Sequence, residues 1–192
     1  MSIERSLFQG ELINITQLDV EKDAEVISAW THDVETMRLC ELKAVKPCSP
    51  WKIKKVLEAM EKEIEDKQRM YFFAIRSQAE MHLIGLVLVD AIDWAHGSGR
   101  IRLLIGDRQD RRKGYGRETL EMMLHYSFAE LNLHRLQAVI PEYNQVALGL
   151  FTKAGFAEEV CQRQAINRFG QHWDLISMGI LKFEWQASLQ PA

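Results

Sequence analysis

The sequence of 192 residues predicts one mixed α/β (α+β) domain, with a central sheet of about seven strands and helices on both faces. Two observations predict this fold. Apolar runs of strand length are grouped in the middle of the chain, and a strand–helix–strand–helix passage follows them. The chain is 47% hydrophobic and 27% charged, so a domain of this length can bury a large core without disulfide or metal support.

The first third of the chain predicts one strand and three helices. Alternating apolar residues within 7–18 favour the strand. Asp19 can accept a hydrogen bond from the first amides of a helix that runs to about Trp30, and Ser49 can do the same for an amphipathic helix that ends near Lys67. The predicted helices of this region are 20–30, 33–42 and 51–67.

The rest of the chain alternates strands with two helices. Apolar residues at three- and four-residue steps predict helices at 115–131 and 144–154, and Gly155 can end the second one. The tail from Trp185 onward (185–192) is expected to lie outside the domain, which we place at residues 1–184. The predicted strands, which are rich in β-branched and aromatic residues or alternate apolar with polar ones, are 71–75, 83–89, 100–106, 136–140, 157–166 and 172–181.

Charge and cysteine content narrow the class of partner. The net charge of -3 provides no broad basic field for nucleic acid or an anionic membrane, so a small or locally recognised partner is expected. Cys40, Cys48 and Cys161 have neither disulfide-framework nor zinc-site spacing, which favours a reducing cytoplasm and no metal. We find no apolar run long enough to span a bilayer and no targeting segment. A monomer or homodimer is expected.

A basic, glycine-containing loop lies between a predicted strand and a predicted helix. Its two glycines are two residues apart, which lets the backbone approach a bulky anion and turn its amides inward. The positive end of the following helix adds to the attraction, so the loop predicts a pyrophosphate site. The loop residues are Arg111, Arg112, Lys113, Gly114, Tyr115, Gly116 and Arg117.

The loop also has other interpretations. A basic turn that merely caps a helix stays possible, because the motif is short. A Rossmann loop needs GxGxxG and a P-loop needs GxxxxGK[ST], and neither pattern is present. A protein that binds a phosphate ligand or an RNA tail through this loop alone is a further alternative, although charge elsewhere is balanced or acidic.

The loop resembles a known family. Arg111, Gly114 and Gly116 match the Q/R-x-x-G-x-G/A signature of the GNAT superfamily of N-acetyltransferases. The segments 134–144 and 153–156 resemble its RimJ/RimL-like branch, in which a strand, an Asn-capped helix and a Gly-Phe pair follow the loop. The resemblance extends from about residue 103 to residue 156 and is only architectural elsewhere.

This resemblance implies a GNAT-like, mostly antiparallel sheet and an enzyme that uses acetyl-CoA as cosubstrate. The acceptor would be a primary amine: a protein N-terminus, an aminoglycoside, a polyamine or another small amine. In such proteins the strand before the loop splays from its neighbour, so its backbone can pair with the pantetheine arm. The implied cofactor-binding residues outside the loop are Leu103, Leu104, Ile105, Asn144 (also the predicted helix cap) and Phe151 (which could equally be core).

The residues that usually move protons in the family are missing. Phe151 stands where many relatives have Tyr, and Val139 and Ile101 stand where some have Glu. Tyr143 is the candidate substitute as proton donor, and bulk water is the alternative. The acids nearest the strand ends are Asp90, Asp93 and Glu142. A catalytically silent module that binds acetyl-CoA or CoA is therefore the alternative function.

The resemblance to this family also implies a surface that binds the acceptor. The first helices and late strands would supply a mixture of aromatic and acidic side chains, which suits a cationic amine. Core tryptophans and ordinary surface carboxylates explain the same residues equally well. The residues are Trp30, Asp33, Glu35, Trp51, Trp94, Trp173 and Asp174.

Overall fold

The computed structural model describes residues 7–40, 42 and 44–189, with residue 66 described by its backbone alone. The predicted domain start at residues 1–6 and the last three residues of the predicted tail lie outside this part of the chain. Within it, the strands are β1 (Ile13–Thr16), β2 (Tyr71–Ser77), β3 (Leu83–Asp93), β4 (Ser98–Ile105), β5 (Arg135–Pro141), β6 (Ala157–Arg168) and β7 (Gln171–Leu181). The α-helices are α1 (Val20–Thr31), α2 (Val34–Cys40), α3 (Pro50–Lys67), α4 (Tyr115–His125), α5 (Gln145–Lys153) and α6 (Lys182–Ser188).

These strands form one sheet in the order β1-β2-β3-β4-β5-β7-β6. The β4–β5 pair is parallel and the other pairs are antiparallel, so the predicted mixed, mostly antiparallel sheet is confirmed. One face packs against α1 and α3 around Ile27 and Leu57, and the other packs against α4 around Leu120 and Met123. The site described below lies where the parallel pair opens.

Short polar side chains fix where the first helices begin, as the sequence predicted. Asp19 accepts from the amide of Lys22 at 3.2 Å, and Ser49 accepts from the amide of Lys52 at 3.3 Å. Pro50 occupies the first turn of α3, where a missing amide costs nothing. No helix in the described ranges combines the length and the apolar character that crossing a membrane requires.

The helix predicted at 115–131 is shorter than expected. Regular α-helix ends at His125, and residues 126–130 form a π-helical turn closed by the bond from the amide of Leu131 to the carbonyl of Tyr126. This wider turn holds Phe128 completely inside the core. Side-chain periodicity predicts which residues face the core, but it does not reveal that the backbone changes its hydrogen-bonding step.

The C-terminal boundary predicted at residue 184 falls inside α6, so the expected tail does not begin at Trp185. The indole of Trp185 is only 9% exposed and packs on Phe128, with ring centroids 5.4 Å apart. A large apolar side chain in a short helix gains free energy from burial, and this one attaches α6 to α4 and the π-helical turn. The residues up to Ser188 therefore belong to the packed structure.

Candidate functional site

The parallel strands β4 and β5 separate after three residue pairs. Ser98, Gly99 and Arg100 pair with residues 135–137, and β4 then continues to Ile105 paired only with β3. The backbone groups of residues 101–105 that face β5 are therefore open, in the way that an edge strand is open. Leu103, Leu104 and Ile105, which the sequence analysis assigned to pantetheine binding, lie on this open segment.

Two glycines allow the close contacts that hold the end of β4. A Cβ on Gly85 would lie 2.2 Å from the carbonyl oxygen of Leu104, and a Cβ on Gly106 would lie 2.0 Å from the indole ring of Trp30. Real side chains do not tolerate such distances. The β3–β4 pairing and the packing of α1 on the end of β4 therefore both depend on the absence of a side chain.

The basic loop follows directly and turns the chain into α4. Asp107 accepts from the amide of Gln109 at 2.8 Å and begins a 3-10 turn over Arg108–Asp110. Arg112 and Gly114 then adopt left-handed backbone, with φ of +61° and +92°. Gly114 is the N-cap of α4, so the loop ends at the positive pole of that helix.

The loop presents a row of backbone amides. Those of Arg117 and Glu118 donate to the carbonyl of Gly114, at 3.0 and 3.1 Å. Among the described residues, the amides of Arg112, Gly114, Tyr115 and Gly116 have no close hydrogen-bond acceptor. Backbone amides left without an acceptor at a helix start can bind phosphate groups in proteins.

The side chains of the loop are directed by neighbouring acids and hydroxyls. Lys113 lies 3.0 Å from Asp110, which raises the pKa of the lysine, and Arg117 lies 2.7 Å from Glu121. Arg112 is exposed. Tyr115 is half-buried, and its ring packs against the core beside α4. A Cβ on Gly116 would make only ordinary contacts, at 3.6 Å or more, so the protein's own packing does not require glycine there.

Helix α2 bridges the gap between β4 and β5, and its first end is tied to the basic loop. Asp33 receives two hydrogen bonds from Arg108, both at 2.7 Å, and these hold the pKa of the carboxyl well below its ordinary value. The guanidinium of Arg111 donates to the hydroxyl of Thr36, which also donates to Asp33 at 2.7 Å.

The second end of α2 is tied to the turn after β5. The hydroxyl of Tyr143 donates to the carbonyl of Arg38 at 2.7 Å, and the side-chain amide of Asn144 donates to the carbonyl of Leu39 at 3.1 Å. These carbonyls are among the groups that a helix C-terminus leaves unpaired. The helix therefore spans both sides of the opening, held by side chains from each.

The sequence-predicted residues after β5 have structural partners. Asn144 accepts from the amide of Ala147 at 3.1 Å, which confirms its role as the cap of α5. Tyr143 packs between Phe169 and Trp173, and burial raises its pKa, so the phenol is protonated at neutral pH. Roles for Asn144 in cofactor binding and for Tyr143 as proton donor stay predictions.

Phe151 is 4% exposed, and its ring meets that of Phe156 edge-on with centroids 4.9 Å apart. The contact confirms the alternative that Phe151 is a core residue. Ile101 is likewise buried. A cofactor contact by Phe151 stays a prediction.

The three candidate acids have separate surroundings. Asp90 is buried and forms salt bridges with Arg100, at 2.8 Å, and with Arg102. Asp93 accepts from the amides of the following turn at 3.0 and 3.3 Å, and Glu142 accepts from the amide of Asp174 at 3.1 Å. Each carboxylate has a structural contact that explains its position.

The predicted aromatic and acidic acceptor surface is not confirmed as one surface. Trp30 lines a cavity on the α1 and α3 face of the sheet, but the other six residues do not line it. Trp94 donates to the carbonyl of Gln68, Trp173 donates to the carbonyl of Arg168, and Trp51 is exposed on α3. The four indole groups are carried by four different elements: α1, α3, the turn after β3, and β7.

One important contact of the loop region was missed. The carboxylate of Glu118, in the first turn of α4, accepts from the amides of Glu11, Leu12 and Ile13 at 2.6, 2.9 and 3.0 Å. An acidic residue early in a helix suits the helix dipole, but its partners lie more than a hundred residues away along the chain. Within the described ranges, no group of three or more His, Cys, Asp or Glu residues could hold a metal ion.

Comparison with known proteins identifies the family. A family model described as "Acetyltransferase (GNAT) domain" matches residues 13–157. The chain belongs to the GNAT acetyltransferase family. It is therefore an acyltransferase domain built around the opened β4–β5 pair.

Curated relatives and solved structures agree with this assignment. The spermidine N(1)-acetyltransferase of Vibrio cholerae serotype O1 is 31% identical over 130 residues, which are 67% of this chain and 72% of that protein. An uncharacterised N-acetyltransferase of Bacillus subtilis, YnaD, is 32% identical over 75 residues, or 39% and 44% of the two chains.

The fold of this GNAT chain matches solved structures over nearly its whole length. The crystal structure of the V. cholerae spermidine N-acetyltransferase in complex with CoA and spermine has a TM-score of 0.79 and 22% identity, covering 92% of this chain and 99% of that one. A dodecameric structure of the enzyme from the same organism has a TM-score of 0.76 and 23% identity, covering 94% and 100%. At these identities the likeness establishes the fold.

Proposed function

We propose that this chain transfers the acetyl group of acetyl-CoA to a primary amine of a small molecule. The GNAT family match supplies the reaction class. The observation that carries the assignment of the donor is that the loop amides of Arg112, Gly114, Tyr115 and Gly116, at the start of α4 and after the open segment of β4, have no close acceptor among the described residues. The pyrophosphate would lie on these amides, and the pantetheine arm would extend along residues 103–105.

The residues present fit such a donor. An open strand edge offers alternating amide and carbonyl groups to an extended ligand, and the loop offers amides with cations at its rim. When bound, acetyl-CoA supplies an activated thioester. The chain would hold that thioester in the gap that α2 spans, where an amine can approach it.

Several finer assignments belong to the same proposal. Membership of the RimJ/RimL-like branch rests on residues 134–144 and 153–156. A cytoplasmic location is supported by three cysteines of which none forms a disulfide with a described residue. Either a monomer or a homodimer is expected. A polyamine acceptor is suggested by the names of relatives, and protein N-termini and aminoglycosides remain candidates.

Calorimetric titration tests the donor site. Acetyl-CoA should bind, and S-acetylpantetheine, which lacks the pyrophosphate, should bind about a hundredfold more weakly because it loses several charge-assisted hydrogen bonds. Arg112→Glu should weaken acetyl-CoA binding about tenfold by placing a negative charge at the loop. The matched control is Arg163→Glu, which makes the same charge change at an exposed position of β6 and should leave the affinity unchanged.

Release of CoA in the presence of an amine panel tests the transfer. Spermidine, an aminoglycoside, a peptide with a free N-terminus and hexylamine cover the candidate classes. Release with at least one of them is expected. Absence of acetyl-CoA binding would refute the proposal, and binding without release for any amine would instead support the catalytically silent module.

A further inference from the structure

The first residue of the basic loop, Arg111, is bound to helix α2 by its side chain. Its guanidinium donates to the hydroxyl of Thr36, and its amide donates to the carbonyl of Arg108 at 3.2 Å. The next residue, Arg112, has left-handed backbone and an exposed side chain. Two neighbouring arginines of one loop therefore have different surroundings, and Arg111 is the one that contacts α2.

The hydroxyl of Thr36 is oriented by its second partner, Asp33. Thr36 is completely buried, and its hydroxyl donates to the carboxylate of Asp33 at 2.7 Å. Arg108 holds the pKa of this carboxyl well below its ordinary value, so the group is ionised at neutral pH and can only accept hydrogen bonds. The single hydrogen of the hydroxyl goes to Asp33, which leaves the oxygen to accept from the guanidinium of Arg111.

These contacts form one network between α2 and the loop region. Asp33 also accepts from the amides of Glu35 and Thr36, at 3.0 and 3.3 Å, so the same carboxylate begins α2. Hydrogen bonds with an ionised partner are stronger than those between neutral groups, and bonds within a network reinforce one another. The first turn of α2 is thereby fixed in position relative to residues 108–111.

Helix α2 also forms part of a cavity wall. Met37, which follows Thr36, lines a cavity of about 490 Å³ on the α1 and α3 face of the sheet, together with Trp30. The cavity reaches Leu103 and Leu104 on the open segment of β4, where the pantetheine arm is proposed to lie. An amine held in this cavity would meet the donor, and the position of α2 sets the shape of the space that the amine enters.

We propose that Arg111 is a positioning residue for the acceptor, because its guanidinium, acting through Thr36, holds α2 and so fixes the cavity wall at Met37. The pyrophosphate is bound by the loop amides that follow, and the side chain of Arg111 serves the acceptor side. This inference rests on the proposed function and deepens it. It gives a different role to a side chain that the loop motif placed at the pyrophosphate.

Arg111→Met and Arg112→Met make the same change at neighbouring positions of the loop. With saturating acetyl-CoA and the fastest-reacting amine of the panel, Arg111→Met should raise the acceptor KM about fivefold, as the loss of one hydrogen bond does, and change kcat less than about twofold. Its Kd for acetyl-CoA should change less than about threefold. Arg112→Met should instead raise that Kd at least about threefold and leave the acceptor KM unchanged.

The opposite pattern for Arg111→Met would overturn the proposal. A Kd for acetyl-CoA that rises about tenfold, with an unchanged acceptor KM, would make Arg111 a ligand of the pyrophosphate. A fall in kcat with both binding constants unchanged would also contradict a positioning role. Thermal melting verifies that each variant is folded before its kinetics are compared.

Two variants of Thr36 test whether Arg111 acts through this hydroxyl. Thr36→Val keeps the shape and removes the hydroxyl, so it should raise the acceptor KM as much as Arg111→Met does. Thr36→Ser keeps the hydroxyl and should stay within about twofold of the wild type. Because one contact is removed in either case, the double variant Arg111→Met/Thr36→Val should be no worse than the single variants. Additive effects, or a Thr36→Val variant with a wild-type KM, would overturn the role of Thr36.

Hydrogen exchange measured by mass spectrometry tests the contact without any amine. In the full chain without acetyl-CoA, Arg111→Met should speed exchange of the amides of residues 34–40 at least about threefold, because α2 loses its link to the loop. Arg112→Met should leave that exchange unchanged. Unchanged exchange in Arg111→Met would overturn this inference even if the enzyme is active. Absence of acetyl-CoA binding or of CoA release refutes the proposed function and leaves the exchange result to decide how α2 is held.

Discussion

The proposed binding regions for the acetyl donor and for the acceptor amine are built in different ways. The proposed donor side is mainly one continuous stretch, residues 103–117, in which the open edge of β4, the loop amides and the start of α4 would hold the cofactor. The proposed acceptor side is the cavity that Trp30 lines. It is assembled from α1, α2, α3, residues 44–48 and three strands, and its side chains come from positions up to 77 residues apart, as with Ile27 and Leu104. One side is local in the sequence and the other is not.

This difference determines how each side responds to change. A loop that binds through backbone amides tolerates many side-chain substitutions, because the chemistry lies in the main chain. A cavity assembled from distant elements depends on their packing. The contact of Trp30 with Gly106 and the bonds from Arg108 and Arg111 to Asp33 and Thr36 join the two sides. The four predictions below test that contrast, from the largest expected effect to the smallest.

Gly106→Ala should be the most damaging of these changes. The new methyl group would overlap the buried ring of Trp30, with distances of 2.0 to 2.5 Å to three ring atoms. We expect a loss of about 3 kcal/mol in the free energy of unfolding, as for overpacked cores, measured by denaturant titration.

Gly149→Ala in α5 is the control for this prediction, since a Cβ there meets nothing within 4 Å. It should be neutral or stabilise by up to about 1 kcal/mol through helix propensity. If Gly106→Ala were as stable as Gly149→Ala, the donor and acceptor sides would not be joined through Trp30.

Glu118→Ala should affect the donor side. Removing a carboxylate that accepts from three amides of residues 11–13 should destabilise the protein by about 2 kcal/mol and loosen the start of α4, which also weakens acetyl-CoA binding. Denaturant titration and calorimetry measure the two effects. Glu121→Ala, one turn away and paired with Arg117 on the surface, should change stability by no more than about 0.5 kcal/mol.

The sequence predicts contacts within one segment better than contacts between distant segments. Asp19, Ser49 and Asn144 were recognisable as helix caps because a cap acts on amides two or three residues away. The loop at 111–117 was recognisable for the same reason. The partners of Glu118 and the approach of Trp30 to Gly106 depend on how distant segments meet, which no local pattern encodes.

Tyr143→Phe tests how α2 is held on the acceptor side. The hydroxyl already donates to the carbonyl of Arg38, so we expect a positioning role: KM for the acceptor should rise about fivefold and kcat should change less than about twofold. Tyr126→Phe is the control, because it removes the same hydroxyl from a ring that packs against Phe8, Tyr71 and Phe73. A fall in kcat of about a hundredfold for Tyr143→Phe alone would identify it as the proton donor.

Asp33→Asn tests the link between α2 and the donor loop and should have the smallest effect. Arg108 lowers the pKa of Asp33 below its ordinary value of 3.8, so the pair contributes stability that is present above that pH and is lost as the pH falls through the lower pKa of the folded state. The denaturation midpoint of the wild type should therefore exceed that of Asp33→Asn at pH 7, and the gap should narrow below pH 3.8. Glu35→Gln removes the other carboxylate that pairs with Arg108, and its denaturation midpoint should vary with pH as that of the wild type does. A gap that stays constant with pH would mean that Asp33 holds α2 through its hydrogen bonds to Thr36 and not through its charge.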